Sequence, residues 1–167
     1  MKNDKNTNEA ALIDATEPLA TEYVIPRYYF SVNGQNILQD KNFLSQYSVV
    51  DKIYTLPNSP PWFKGLLNQH NTILPVYSLS HFFNSEKSNF TQRQHNVLTM
   101  QIDSNKIGLL VDDTPKQVDV DLKSVEKFEQ NWPEMINESI TACYINKKTS
   151  WIEFSFQKLF LILASHK

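Results

Sequence analysis

Leu56-Pro57-Asn58-Ser59-Pro60-Pro61-Trp62-Phe63-Lys64-Gly65-Leu66-Leu67-Asn68-Gln69-His70-Asn71-Thr72-Ile73-Leu74-Pro75-Val76-Tyr77-Ser78-Leu79 is the stretch from which the rest of the chain can be read. It opens on a prolyl turn. Pro57, Pro60 and Pro61 end any strand that enters it, because proline cannot donate to a central ladder. An aromatic pair follows, Trp62 and Phe63. At least one of them is expected to plug a core, since aromatics carry a large apolar area. The alternative is an exposed interface anchor of the usual hot-spot type. Gly65 is read as a site of close backbone packing, because aliphatic residues follow it at once. After an Asn-containing turn, Thr72 to Tyr77 is rich in β-formers, and Pro75 inside that run predicts an edge strand or a bend.

The segments on either side are also β-like. Tyr28, Phe30 and Val32 alternate with Tyr29 and Ser31, and Asn33-Gly34 is a strong hairpin turn signal, both residues accepting positive φ. Ile37-Leu38 begins the returning strand. Val49-Val50 and Ile53-Tyr54 read as one further strand. Beyond the quoted stretch, Ser78 to Phe83 reads as a short helix start with Ser78 as N-cap, and Ser85 to Gln94 as a polar loop. Leu98, Met100 and Ile102 alternate with polar residues. Asp103-Ser104-Asn105 supplies turn chemistry, so 97–112 is a hairpin. Val118, Val120 and Leu122 form one more short strand, and 123–138, polar and containing Pro133, reads as a connecting loop. Ile140–Ile145 and Trp151–Phe156 flank a turn, with Lys147-Lys148 as its solvated tip. Gln157–Ala164 has the apolar density of a short C-terminal helix. About eight or nine short strands at spacings near ten residues point to barrels or a sandwich. No internal repeat is visible.

Composition narrows the function. The chain has 167 residues and a net charge of −2, which fits one domain, or one domain built of two small lobes. The three glycines, Gly34, Gly65 and Gly108, are too far apart for a phosphate-cradling loop. One cysteine, Cys143, excludes an intrachain disulfide and a multi-thiolate zinc site. The balanced charge argues against a general nucleic-acid binder. The longest apolar run, Leu159–Ala164, is far short of the roughly 20 residues of a membrane helix, and no h-region marks a signal peptide. The expectation is a soluble cytoplasmic domain over 26–167, with no direct membrane insertion. Residues 1–25 are read as a flexible tail, with two lysines against five carboxylates and no aromatic before Tyr23. Ala10 to Ile13 is a weak signal for a helical turn formed on contact with a partner.

The quoted stretch resembles the CheW family of chemotaxis coupling proteins. Its members carry P-x-x-P, then G-[aliphatic]-[aliphatic]-N-L-R-G, then [aliphatic]-[aliphatic]-P-V-x-D-L. The chain matches at Pro60, Gly65, Leu66, Leu67, Asn68, Ile73, Leu74, Pro75, Val76 and Leu79. Ile107-Gly108-Leu109-Leu110-Val111-Asp112-Asp113-Thr114 resembles the family's G-[aliphatic]-[aliphatic]-V-D-x-V segment, so Pro60, Gly65, Pro75 and Gly108 are the structural motif residues. The wording around Trp62-Phe63 looks most like the PilI branch, coupling proteins of type IV pilus systems for twitching motility. The resemblance covers about 135 residues and implies a mainly β fold: two small SH3-like five-stranded barrel lobes sharing a core, with a short C-terminal helix. The departures are local. The family's arginine is His70, its turn glycine is Asn71, and its V-x-D-L is Val76-Tyr77-Ser78-Leu79. The family also tends to have an acidic residue in the strand before the prolyl turn, for which Gln46 and Asp51 are the candidates here.

What the resemblance implies about function is a binding module, not an enzyme. It would be a cytoplasmic adaptor joining the signalling tip of a methyl-accepting chemoreceptor to the regulatory domain of a CheA-type histidine kinase, monomeric alone and assembled in receptor arrays. The candidate contact residues, carried over by position, are Asn58, Trp62, Asn68, Gln69 and His70. His70 is either a solvated turn side chain or a contact inherited from the arginine position. His70, His81 and His95 have no metal-ligand spacing, so no metal or cofactor is expected. Asp112-Asp113 reads as a solvated turn and Cys143 as a buried small hydrophobe. The competing function is an OB-like or SH3-like barrel that stacks single-stranded nucleic acid on aromatics. A small hydrolase ranks last, because no nucleophile–base spacing is present.

Overall fold

The computed structural model describes residues 23–83, 93–102, 104–128, 132–146 and 148–165. The tail through residue 22, most of the expected polar loop at 85–94, Asp103 and the tip residue Lys147 lie outside the described residues. In chain order the strands are β1 (Val24–Val32), β2 (Gln35–Leu38), β3 (Leu44–Val50), β4 (Phe63–Gln69), β5 (Thr72–Tyr77), β6 (His95–Ile102), β7 (Asn105–Leu110), β8 (Lys116–Asp121), β9 (Ile140–Asn146) and β10 (Thr149–Phe154). A 3₁₀ turn covers Leu79–Phe83, and the helices are α1 (Glu134–Asn137) and α2 (Phe156–Ser165).

The strands form two five-stranded sheets, ordered β8-β1-β2-β10-β9 and β3-β6-β7-β5-β4. Each sheet curls on itself by the same device. Past β3, Tyr54 bridges Leu66 on the opposite edge, and past β8, Val125 bridges Tyr144 on β9. In both sheets an antiparallel hairpin, β1–β2 or β6–β7, lies beside a parallel pair, β2–β10 or β7–β5. The outer pair is again an antiparallel hairpin, β9–β10 or β4–β5. The molecule is therefore two small barrels of identical pairing pattern, a duplication that the residue identities do not disclose.

Three apolar clusters follow from the alternation of side chains across each strand. Ile53, Leu67, Leu74, Val76 and Val97 fill the β3–β7 barrel. Leu38, Val120 and Tyr144 lie in the other. The largest cluster draws on both sheets and on the helix: Phe30, Ile37, Leu98, Met100, Leu109, Phe154 and, from α2, Phe156, Leu159 and Leu163. The two lobes thus share one core, and α2 packs across it.

Several elements differ from the sequence reading. The strand expected at 49–50 and 53–54 is β3, paired with β6 from Leu44 to Val50, while Tyr54 makes only an isolated bridge. Polar Ser45, Gln46 and Ser48 hide the start of β3, which lies at a sheet edge. The expected loop at 123–138 carries Val125 in its bridge, α1, and buried Trp132 and Ile136. Trp132 stacks on Phe83 with ring centroids 4.2 Å apart. Val24 and Ile25, expected in the tail, pair with Asp121 and Val120.

Pro75 is not at an edge, because β5 runs between β4 and β7. Leu66 opposite it exchanges both backbone hydrogen bonds with Tyr54 instead, each 2.8 Å. Leu66 and Pro75 are therefore a non-hydrogen-bonded pair, and the proline nitrogen faces β7. Pairing of β5 with β7 starts only at Val76, so the missing donor leaves no ladder bond broken.

Candidate functional site

The prolyl turn is shaped by Asn58 at φ 58° and by the Ser59 hydroxyl, which donates to the Leu56 carbonyl at 2.8 Å. The Phe63 amide closes it onto Pro60 at 3.0 Å. This directs Trp62 inward. Its ring packs on His81 and Phe82 with centroids 5.8 and 5.4 Å away, and its Nε1 donates to the Leu163 carbonyl on α2. Trp62 is only 8% exposed, which corrects its place among the contact residues: it fastens α2 to the β4 lobe. Phe63 is half-buried, edge-on to Tyr77.

Beyond Phe63, Lys64 is an extra residue in the ladder, with Phe63 opposite Tyr77 and Gly65 opposite Val76. Gly65 sits at φ 132°, and a Cβ there would land on the Tyr54 carbonyl oxygen. The closing bridge of the barrel needs that space. At Gly108 a Cβ would lie 2.9 Å from Val97 Cγ1, inside the same barrel.

At the other end of β4, His70 and Asn71 form a two-residue hairpin turn with φ 50° and 63°. Both are left-handed, the pattern of a type I′ turn, which Asn and His tolerate better than most side chains. The turn survives loss of the family glycine for that reason. His70 is exposed at the rim of a cleft of about 230 Å³. The Gln69 amide reaches across this barrel end: its Nε2 donates to Ser48 at 3.3 Å and its Oε1 accepts from Thr99 at 2.9 Å. Gln69 therefore staples β4 to β3 and β6, and its half-buried side chain also lines this cleft. Gln46 lines the cleft with His70, whereas Asp51 accepts from Gln94 at 3.1 Å. Gln46 and His70 thus stand together where a charged pair would have been expected.

Trp62 and His70 stand at opposite ends of β4, about 25 Å apart by strand rise. Between these ends runs a groove. It measures about 760 Å³ and lies between the β5–β7 side of one lobe and α2, with Ile73, Pro75 and Tyr77 facing Phe160, Leu161 and Ala164. Tyr77 and Ala164 also line a second depression of about 550 Å³ that holds Asn58. Thr72 and Lys106 are shared with the His70 cleft. The His70 cleft opens at the barrel end, on the Leu74 face of β5, whereas the groove and the Asn58 depression form one trough along its Ile73, Pro75 and Tyr77 face. Ile73 and Leu161 are 68% and 70% exposed on its walls. Burial pushes the Tyr77 phenol up. Asn68 is exposed on β4, on the outer side of the Asn68–Ile73 pair.

Two polar features carry more structure than their sequence suggested. Asp112 is not merely solvated: its carboxylate accepts from the Asn33 and Gly34 amides, both at 2.9 Å, joining the end of β7 to the β1–β2 turn. Arg27 is 8% exposed, and its Nη2 donates to Glu153 at 2.7 Å and to the Gln39 carbonyl at 2.9 Å. Tyr144 donates to the other Glu153 oxygen at 3.2 Å. Partners so distant in sequence leave no local signal. Cys143 is buried, and burial pushes its thiol up, away from nucleophilic character. Among the described residues no three His, Cys, Asp or Glu side chains converge as a metal site, and no helix is long and apolar enough to cross a membrane.

The comparisons agree with this geometry. Among solved structures the chain is similar to the scaffolding protein TtCheW from Thermoanaerobacter tengcongensis, at 18% identity and a TM-score of 0.61 over 78% of this chain and 85% of that one. At that identity the likeness establishes the fold. No curated protein matches the sequence. The CheW-like domain model matches residues 29–161, from within β1 to within α2 and across both lobes. The chain belongs to the CheW-like domain family.

Proposed function

We propose that this chain is a non-catalytic cytoplasmic adaptor that couples methyl-accepting chemoreceptors to a CheA-type histidine kinase. On the wording of its prolyl segment, the pathway is that of the PilI branch, controlling type IV pilus twitching motility. The observation that carries the reading is the trough along β5 and α2. Its walls are apolar, its rim is polar, and its length suits a helical segment laid in a groove. The receptor's hairpin tip occupies it. The exposed turn at His70, with Asn68 beside it, meets the kinase's regulatory domain, and Asn58 extends the receptor contact at the other end. Two modest contacts on one adaptor gain from effective concentration once receptors are arrayed. No bond is made or broken, and none of the five carried-over positions needs to do more than pack or hydrogen-bond.

The test is titration calorimetry of the chain against a receptor signalling tip and a kinase regulatory domain from the same genome. Micromolar binding to both is expected, and absence of binding to both would sink the proposal. His70→Ala should weaken kinase-domain binding about fivefold, roughly 1 kcal/mol. His95→Ala, within β6, should have a smaller effect. Equal and negligible effects would remove His70 from the contact. Deletion of the gene should abolish twitching and leave flagellar swimming unchanged; the reverse would move the chain to a flagellar pathway.

A further inference from the structure

We infer that Asn33 is a site of spontaneous covalent modification, the loss of its side-chain amide through attack by the Gly34 nitrogen, and that the Asp112 carboxylate guards it.

Asn33-Gly34 is the only Asn-Gly pair in the chain. It forms the two-residue turn between β1 and β2, enclosed by the Val32–Gln35 pair, and both residues are exposed. Their φ values are 51° and 75°, the pattern of a type I′ turn. Glycine has no Cβ to shield its nitrogen, so an asparagine side chain can approach it closely.

The reaction needs only water. Solvent hydroxide removes the Gly34 amide proton. The nitrogen pair forms a bond to Asn33 Cγ, the Cγ–Nδ2 bond breaks, and ammonia leaves with a proton from water. Water then adds to either carbonyl of the five-membered imide, whose bond to nitrogen breaks. The product is an aspartate joined to Gly34 through its α- or its β-carboxyl. In sum, one water is consumed, one ammonia is released and one negative charge is gained.

Geometry decides when this can happen. Ring closure needs the Gly34 nitrogen on the same side of the Asn33 Cα–C bond as Cβ, which places ψ near about −120°, as at the first central residue of a type II′ turn. In a type I′ turn that angle is about +30°, and the nitrogen stands nearly opposite Cβ. Reaction therefore requires the Asn33–Gly34 peptide plane to flip by about 150°, which Gly34 permits because it accepts either sign of φ. The flip swings the Gly34 N–H away from Asp112. That N–H donates to Asp112 Oδ2 at 2.9 Å, and the Asn33 N–H donates to Oδ1 at 2.9 Å. The carboxylate thus holds the unreactive turn. It does not serve as the base, because in the reactive turn the proton points elsewhere.

Asp112 is itself anchored. Its amide donates to the Ser31 carbonyl at 2.7 Å, and its carbonyl accepts from Asn96 Nδ2 at 2.7 Å. The Tyr47 hydroxyl donates to Asn96 Oδ1 at 2.9 Å. The guard follows β7 in one lobe and the guarded turn joins β1 to β2 in the other. The chemical lifetime of Asn33 therefore depends on the contact between the lobes. Conversion weakens that contact in return, since it adds a charge near the carboxylate and, in the β-linked form, one more atom to the backbone of the turn.

The experiment ages the full chain at neutral pH and follows the tryptic peptide 28–41 by mass and fragmentation, with Asn58-Ser59 as the internal reference. Asn33 should convert more slowly in the native protein than in the same chain unfolded in urea. Asp112→Ala should raise the native rate about fivefold, equivalent to roughly 1 kcal/mol, and leave Asn58 unchanged. Gly34→Ala in that background should suppress the conversion by shielding the attacking nitrogen. An unchanged rate in Asp112→Ala would overturn the guard, and a slower one would make Asp112 the base. An equal rise at Asn58 would replace the guard by general loosening. Conversion that persists in Gly34→Ala would overturn the route through the Gly34 nitrogen. Native protein converted at Asn33, separated by its added charge, should unfold at a lower urea concentration than unconverted protein. Equal midpoints would overturn the consequence for the lobe contact.

Discussion

In the lobe of β3 to β7, the barrel interior is aliphatic: Ile53, Leu67, Leu74, Val76 and Val97. In the lobe of β1, β2 and β8 to β10, the same strand pairing surrounds Leu38 and Val120 together with Arg27, Glu153 and Tyr144. The two lobes also close differently. One closure requires Gly65 against the Tyr54 backbone, whereas the other is made between Val125 and Tyr144, both with side chains. The contrast teaches that this pairing pattern does not demand a particular interior. It demands that each barrel be filled and that every buried charge find its partner. An ion pair inside a small barrel costs desolvation that its mutual attraction only roughly offsets. What it supplies is geometry, since Arg27 ties β1 to β10 and to the residue after β2.

The sharpest way to break the comparison is at the closures. Gly65→Ala should destabilise the protein by about 4 kcal/mol or more, because the new methyl collides with backbone at φ 132°, where little can shift. Gly34→Ala, at φ 75° with open space around it, should cost only about 1–2 kcal/mol. Urea unfolding measures both, and similar values would mean that the Tyr54 bridge can slip without loss.

Next comes the ionic interior. Arg27→Met should cost about 3 kcal/mol, because Glu153 is left without its charge partner in a mostly buried site. The double variant Arg27→Met/Glu153→Met should recover most of that loss. A double-mutant cycle with no coupling would show that the pair contributes nothing to the lobe. A smaller effect is expected where the lobes meet. Asp112→Ala removes the acceptor for two turn amides, and because they are exposed to water the loss should be about 1 kcal/mol.

The smallest effect is alkaline. Burial, and then the Glu153 charge, push the Tyr144 phenol up. Its folded-state value lies above the unfolded one, so its stabilising contribution is complete below about pH 10 and is lost as pH rises through the folded value. Stability should therefore fall above that pH less steeply in Tyr144→Phe than in the native chain. An unchanged slope would remove Tyr144 from the titrating set.

Much of the fold was legible because alternation and turn chemistry are local. Asn33-Gly34, the run from Leu98 to Ile102 and the hairpin that ends at Phe154 each announce themselves within a few residues. β3 did not, since its polar edge residues owe their extended form to seven paired partners on β6. Trp132 and Ile136 sat unnoticed in a polar stretch, because burial is a property of the packed molecule. At the candidate site the sequence located the right segment but could not orient its side chains. Trp62 turns inward to α2 and Gln69 spans a barrel end, while Asn58, Asn68 and His70 face solvent.

The sequence by itself determined the β class, the hairpin turns, the motif positions and the family, because these depend on neighbours in the chain and on residues matched one by one. Only the tertiary structure decided the rest: the duplicated pairing pattern, the non-edge place of Pro75, the Arg27–Glu153 pair across 126 positions, and the trough formed by β5 and α2. Each of these is a relation between segments far apart in the chain. No local pattern encodes such a relation, because what selects it is the common need to bury apolar faces while pairing the charges and backbone groups enclosed with them.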